Sequence, residues 1–373
     1  MKVLLISNTN NIRNGTGNLT HELCSALKGK VDFKLLLPAK EKRYDYTDYP
    51  VEYVLPDYIF DAKTPKILKY LTFNYHTDAD IIHSLSEFPY AFLGARIANK
   101  SKKPFIFGAI GTYAIRPLFT WPEKYLMRYI YNSASLVTAA SGFTRDTINK
   151  FVKLNKPIEI IHPGVNFSRF QELVDITDLK TKYAGKKILL TVGGLKARKG
   201  QDVIIKALGI LKKKRDDFHY ICLGGGNLRT YFNDIAIREG VGDDVSFLGE
   251  QDEETVVKYF KLCDVYAHTP VMDDWNFEGF GIVYLEAGAC RKPVLAADSG
   301  GIRDAVLENQ TGLIVPENDP VATATAIEKL LDSSELRERL GNNGWQYAKE
   351  RDWPIIAEKT LDLYKRLSIY KLP

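Results

Sequence analysis

Cysteine and long apolar runs are what this sequence has least of. Its four cysteines in 373 residues, Cys24, Cys222, Cys263 and Cys290, are scattered without C-x-x-C spacing. Neither a zinc site nor a disulfide framework is indicated. Each sits among apolar or helix-forming residues, the setting of a small buried thiol. No stretch approaches the ~18 apolar residues of a membrane span. The apolar run before Ser7 in MKVLLISNTN is too short for a secretory segment, which needs ~7–15 apolar residues. The expectation is a reduced, cytoplasmic protein able to touch the inner face of a membrane without crossing it. Low-complexity tracts and short-period repeats are also missing. With 45% apolar and 26% charged residues, disordered, collagen-like and coiled-coil classes are excluded.

Charge is present in both signs and unevenly placed. Lys and Arg number 51 against 46 Asp and Glu, a net +5 that names no partner and gives no reason to invoke nucleic acid. Residues 1–165 nevertheless hold 22 basic and 14 acidic side chains, and the remainder 29 and 32. The two halves therefore suit different ligands, with an anionic surface fitting the basic one.

Short apolar, β-rich runs alternate with longer amphipathic segments. In the first half the runs are 3–7, 33–38, 51–56, 80–85, 104–110, 136–141 and 158–162, with helical patterns at 18–28, 89–100 and 142–153. The rhythm starts afresh at 187–193, followed by 219–223, 245–248, 265–268, 293–297 and 313–315. Helices are expected near 200–214, 228–240, 253–262, 281–291 and 320–332, and only helix follows, at 334–350 and 353–370. Continuous apolar strands separated by helices indicate parallel sheets covered on both faces. Two such runs make two doubly wound α/β domains, joined in 164–185 where Pro, Gly and polar residues break the pattern. Ligands of such sheets bind at the carboxyl ends of the strands.

The most informative stretch is Asn276-Phe-Glu-Gly-Phe-Gly-Ile-Val-Tyr-Leu-Glu-Ala-Gly-Ala-Cys290. Phe280, Gly281 and Ile282 open a helix whose first N–H groups suit a phosphate. Glu278 lies in the loop and Glu286 eight positions on, inside the helix and leaning back towards its N-terminus. Two carboxylates beside a phosphate site are better read as hydrogen-bond acceptors for sugar and ribose hydroxyls. The plain alternative is an acid that complements the helix dipole. Thr191-Val-Gly-Gly-Leu-Lys-Ala-Arg-Lys-Gly200 ends the first strand of the second domain. Gly193 and Gly194 let backbone approach a ligand, and Lys199 can set a point charge against a diphosphate. Lys196 and Arg198 read more readily as solvated loop charges. Gly225, in Leu223-Gly-Gly-Gly-Asn227, marks a third strand-to-helix loop. Near the start, Gly15 and Gly17 follow the first strand, but G-x-G-x-x-G is absent and no acid ends the second strand, which disfavours NAD.

The order of these elements, with Phe247-Leu-Gly249 and Ser299-Gly-Gly301, resembles the family 4 retaining glycosyltransferases of the GT-B fold, over nearly the whole chain. Ile161-His-Pro-Gly-Val-Asn166 is similar to the family's segment before the linker. The resemblance implies two Rossmann-like domains facing a central cleft: 1–165 for the acceptor, 166–352 for the nucleotide sugar, and 353–373 as a helix returning to the first. It also implies Glu286 on the nucleotide ribose and Glu278 on the donor sugar. Phe280, Gly281 and Ile282 would serve the diphosphate with Lys199 as cationic clamp, and the phosphate charge missing at Gly194, where the family commonly has Arg, would have to come from Arg198 or Lys196. Gly15 and Gly17 would lie against the donor phosphates. The family's H-G-T segment reads Ile110-Gly111-Thr112 here, leaving Thr112 and the nearby His83 as acceptor candidates; His83 reads equally well as a satisfied strand-end histidine.

The expected reaction is a front-face transfer of a hexose, in which the departing phosphate oxygen takes the acceptor proton. No protein nucleophile, cofactor or metal is required, because Lys199 and the helix N-terminus carry the developing charge. Asp273 and Asp274 read as solvated loop charges. GDP-mannose is slightly favoured over a UDP-hexose. The acceptor is expected to be a glycan or lipid-linked glycan, since residues 119–131 mix aromatic and basic side chains at helical spacing, as do Lys63, Lys66 and Lys69 with Leu68, Tyr70 and Leu71. Either segment would suit an anionic bilayer, or ordinary amphipathic packing. A nucleotide-sugar epimerase of the same architecture and a non-catalytic nucleotide-sugar-binding protein are the rival readings.

Overall fold

The computed structural model describes residues 1–44, 48–57 and 67–369. Two compact units emerge, Met1–Gly164 with Trp353–Pro373, and Val165–Asp352. The first is built on strands β1 (Lys2–Ile6), β2 (Asp32–Pro38), β3 (Val51–Leu55), β4 (Ile81–Ser84), β5 (Phe105–Ala109), β6 (Leu136–Ala139) and β7 (Ile158–Ile160). The second contains β8 (Lys187–Val192), β9 (Phe218–Leu223), β10 (Val245–Gly249), β11 (Val265–His268), β12 (Val294–Ala297) and β13 (Gly312–Val315). Both sheets are parallel, in the orders β3-β2-β1-β4-β5-β6-β7 and β10-β9-β8-β11-β12-β13.

These strands form where they do because their runs are apolar on both faces. β5 and β12 are buried at every position, as helices on both sides of a sheet demand. Each sheet reverses its winding once, between β1 and β4 and between β8 and β11. That reversal opens a crevice at the carboxyl ends of the flanking strands. In the second unit it sets the loop after β8 beside the loop after β11, which join residues 80 positions apart.

The helix Trp353–Ile369 belongs to the first unit's core. Its Trp353, Ile356, Ala357, Leu361 and Tyr364 pack with Val3, Leu5, Leu23, Cys24 and Leu27. The spacing is that of one helical face, and Ile356 and Leu361 each contribute ~1.5–3 kcal/mol by burial. The four cysteines are unbonded, three of them buried. Burial pushes the thiols of Cys222, Cys263 and Cys290 up to about 12, so they are inert.

Two expectations change. The join is not featureless: it holds the helices Phe167–Gln171 and Thr177–Lys182, too short to show a hydrophobic period. The 119–131 segment is a 3-10 turn, Arg116–Phe119, followed by the helix Glu123–Ser133. Of the second basic-aromatic segment, Lys63 and Lys66 lie outside the described residues. No helix among the described residues is long and apolar enough to cross a membrane.

Candidate functional site

The site in the second unit is assembled by two crossovers. The turn Ala197–Lys199 ends in Gly200 at φ 70°, where an added Cβ would fall on the carbonyl of Thr269. The loop leaving β11 holds this turn in return. Thr269 Oγ1 donates to Gly200 O at 3.0 Å and Val271 N to Arg198 O at 2.9 Å. Glu278 is fixed from the other side, its carbonyl accepting from Gly301 N at 2.8 Å in the Ser299-Gly-Gly301 loop.

Lys199 and Glu278 meet as a result, with Lys199 Nζ 2.6 Å from Glu278 Oε2 and Arg198 Nη1 3.3 Å from the same oxygen. Their side chains are 16%, 17% and 30% exposed for Lys199, Glu278 and Arg198. Burial alone would raise the Glu278 pKa; Lys199, then His268 and Arg198, instead hold it well below the usual carboxylate range. Arg198 is therefore not the solvated loop charge that its neighbours in sequence suggested. The turn pinned by Thr269 and Val271 directs it inward. Lys196 is exposed.

His268, the last residue of β11, is fully buried beside this pair. Burial lowers its pKa to about 4 against the pull of Glu278, so the ring is neutral near pH 7. Neither ring nitrogen finds a well-aligned hydrogen bond among the described residues. No motif pointed to it, since a histidine ending an apolar run reads as strand. Tyr284 Oη donates to His268 O at 2.9 Å, tying the helix Ile282–Ala289 to β11.

That helix begins at Gly281, φ 88°, with no side chain capping it. Its N-terminus keeps the polarity that attracts an anion. Phe280 is buried and Ile282 half-buried at this end, and Glu286, half-buried one turn on, acts electrostatically on the same Tyr266 as Glu278 does. The turn before Glu278 closes on itself through two backbone bonds between Asp273 and Asn276, of 3.0 and 2.8 Å.

The glycine loops after β8 and β9 support each other. Leu195 N donates to Gly225 O at 2.8 Å. A Cβ on Gly224 would strike Gly193 O, and one on Gly226 would strike Leu195 O. Gly193, Gly194 and Gly225 thus sit in a backbone-on-backbone stack beside the Lys199 turn.

Four residues singled out from the sequence belong to the first unit. Gly15 begins the helix Gly15–Leu27, capped by Asn14, whose Oδ1 accepts from Gly17 N at 2.7 Å. A Cβ on Gly17 would strike Asn11 O, whereas one on Gly15 would meet nothing. His83 is buried in β4, its Nδ1 2.7 Å from Tyr364 Oη, and burial lowers its pKa to about 3. It lines a cavity of about 60 Å³ with Thr138, His162 and Thr360. Thr112 begins the short helix Thr112–Ile115, at the carboxyl edge of the sheet.

This topology is the GT-B fold. It aligns with Anabaena HepE in complex with UDP and glucose at a TM-score of 0.81 and 19% identity, covering 98% of this chain and 100% of that one. Sucrose-phosphate synthase from Thermosynechococcus elongatus gives 0.79 and 19%, covering both chains fully. The model for Glycosyl transferases group 1 matches residues 176–347 and that for Glycosyltransferase Family 4 matches residues 13–169. The chain belongs to the family 4 glycosyltransferases. It is 26% identical over 289 residues to an uncharacterized glycosyltransferase of Methanocaldococcus jannaschii, covering 78% of this chain and 76% of that one. It is also 32% identical over 244 residues to a GDP-mannose-dependent alpha-(1-6)-phosphatidylinositol monomannoside mannosyltransferase of Mycolicibacterium smegmatis, covering 64% of each.

Proposed function

We propose that this glycosyltransferase moves a hexose from a nucleotide diphosphate sugar to a glycan or lipid-linked glycan, with retention of configuration and without a metal ion. The observation that carries the reading is Glu278 held by Lys199 and Arg198 at 2.6 and 3.3 Å beside the uncapped N-terminus of Ile282–Ala289. Cations and helix N–H groups converge where a diphosphate would gain charge on leaving, the kind of preorganised stabilisation that lowers a transfer barrier. Lys199 and Arg198 would turn from the carboxylate to the diphosphate as donor enters, freeing Glu278 for the sugar hydroxyls. Glu286 would take the ribose, and Gly15 and Gly17 the donor phosphates. The acceptor attacks the face the diphosphate leaves, and the departing phosphate oxygen accepts its proton.

GDP-mannose is the favoured donor, supported by the Mycolicibacterium relative, with a UDP-hexose second, supported by the ligands of HepE. A thermal-shift panel of GDP, UDP, ADP and their sugars identifies the base, since a ligand at 100 times its Kd stabilises by ~2.7 kcal/mol. Product analysis then separates transfer from isomerisation and from binding alone. Activity abolished by EDTA and restored by Mg²⁺ or Mn²⁺ contradicts the metal-independent mechanism.

The first unit recognises the acceptor and rests peripherally on an anionic membrane. Trp121 is 76% exposed, and Tyr125 and Tyr129 share its outward face with Arg128. Lys124 lies 5.1 Å from the Tyr125 ring centre. Aromatic rings with adjacent cations are what an interfacial helix presents.

A further inference from the structure

The carboxylate of Glu87 belongs to the first unit and takes no part in the Lys199–Glu278 pair. It stands three residues past the end of β4, only 9% exposed. Gly111 N donates to its Oε1 at 2.5 Å and Tyr113 N to its Oε2 at 3.0 Å. The backbone N–H groups of Ile110 and Ala114 also favour its ionised form, although Ala114 N itself donates to Gly111 O at 3.1 Å. The helix these groups open, Thr112–Ile115, has four residues and no side-chain cap of its own. So short a helix does not hold itself together. Its fixed points come from other elements: Glu87 at the N–H end, and Tyr131 Oη donating to Ala114 O at 2.8 Å.

Glu87 is itself anchored, since Ala91 N donates to its carbonyl at 3.0 Å at the start of the helix Tyr90–Ser101. The loop it grips turns Tyr113 outward and leaves Thr112 half-buried. We propose that Glu87 is a positioning residue of the transfer reaction, its two carboxylate oxygens fixing the 110–114 loop in the shape that presents Thr112 and Tyr113 to the acceptor. This rests on the acceptor role given to the first unit above.

The charge matters because two accepting oxygens are needed. Burial pushes the carboxyl up to about 7, despite the backbone donors that favour its ionised form. Among the described residues, the Tyr131 phenol faces it from the packed elements, and burial keeps that phenol protonated. A proton on Glu87 turns one oxygen into a donor facing an N–H, and that loop bond is lost. A glutamine makes the same change permanently and at the same size. The folded-state pKa lies above the unfolded value of 4.5, so Glu87 makes the fold less stable as pH rises from 4.5 to about 7. Removing the charge does not cost stability at pH 8.

The experiment compares the full chain with Glu87→Gln by three readouts: turnover from pH 5.5 to 9 at saturating substrates, amide exchange over 110–114, and melting at pH 8. The wild type is expected to gain turnover through a single ionisation near pH 7 with a flat donor KM. Glu87→Gln is expected to lose that ionisation, to turn over about tenfold more slowly at pH 8 and to exchange about tenfold faster in the loop, while melting no lower. A variant with wild-type turnover and profile overturns the proposal, and so does one with wild-type loop exchange. A wild type inactive with every donor overturns the transferase reading instead, and the exchange comparison then decides the loop-holding claim by itself.

Discussion

At Glu278 a carboxylate stays ionised in a confined place because two cations reach one of its oxygens. Lys199→Met leaves that charge to Arg198 alone. The expected cost is about 3 kcal/mol of stability, from breaking a largely buried pair, measured by urea denaturation at pH 7. The pH dependence has a definite sign. The folded-state pKa of Glu278 lies below its unfolded value of 4.5, so its contribution is complete above pH 4.5 and disappears as pH falls through the depressed value. Glu278→Gln is expected to lose that acid-sensitive component in urea titrations run from pH 6 to pH 3. It is also expected to lose roughly a hundredfold or more in turnover. An unchanged turnover would remove Glu278 from the site. The pairing of these three side chains could not be read from spacing alone. Sequence shows that residue 198 is a cation at the mouth of a strand, but the direction it faces depends on Thr269 and Val271, some 70 positions away.

Among the elements, the two loops that carry Gly15, Gly17 and Gly200 separate packing from ligand contact. Gly200→Ala forces a Cβ onto Thr269 O at a positive φ. About 1–3 kcal/mol of strain is expected, along with displacement of Lys199 and loss of activity. Gly15→Ala meets nothing and is expected to change stability by no more than ~0.5 kcal/mol. A loss of donor affinity in that variant therefore reports on the ligand; unchanged affinity would release Gly15 from the donor site. The strands were the most legible elements. Runs such as Val265–His268, apolar on both faces, have few alternatives to a central parallel strand. Helices of five or six residues, such as Phe167–Gln171, carry too little pattern to be found. His268 and Glu87 escaped notice for another reason. His268 ends a strand and Glu87 follows one by three residues, where a single polar residue resembles a boundary, and only the sheet order shows which loop it faces.

Over the whole molecule the charge asymmetry acquires a clearer owner. The helix beginning at Trp353 belongs to the first unit, and its segment adds four basic and two acidic residues. The first unit then carries 26 basic against 16 acidic side chains, and the second 25 against 30. The excess cations share a unit with the exposed aromatic face around Trp121. Co-sedimentation with anionic vesicles is expected at low salt, falling as salt rises and weakened by Trp121→Ala with Tyr125→Ala; absence of binding at low salt would contradict the membrane role.

In the other unit, Lys199 and its neighbours are proposed to bind the diphosphate of a nucleotide sugar. Isothermal titration of GDP-mannose and of UDP-glucose into the wild type and Lys199→Met checks this. The expected result is saturable binding of one of these donors at one site per wild-type chain, weakened at least about tenfold in the variant by loss of a charge-assisted contact. Equal affinity in both proteins, or no binding of either donor to the wild type, would contradict it.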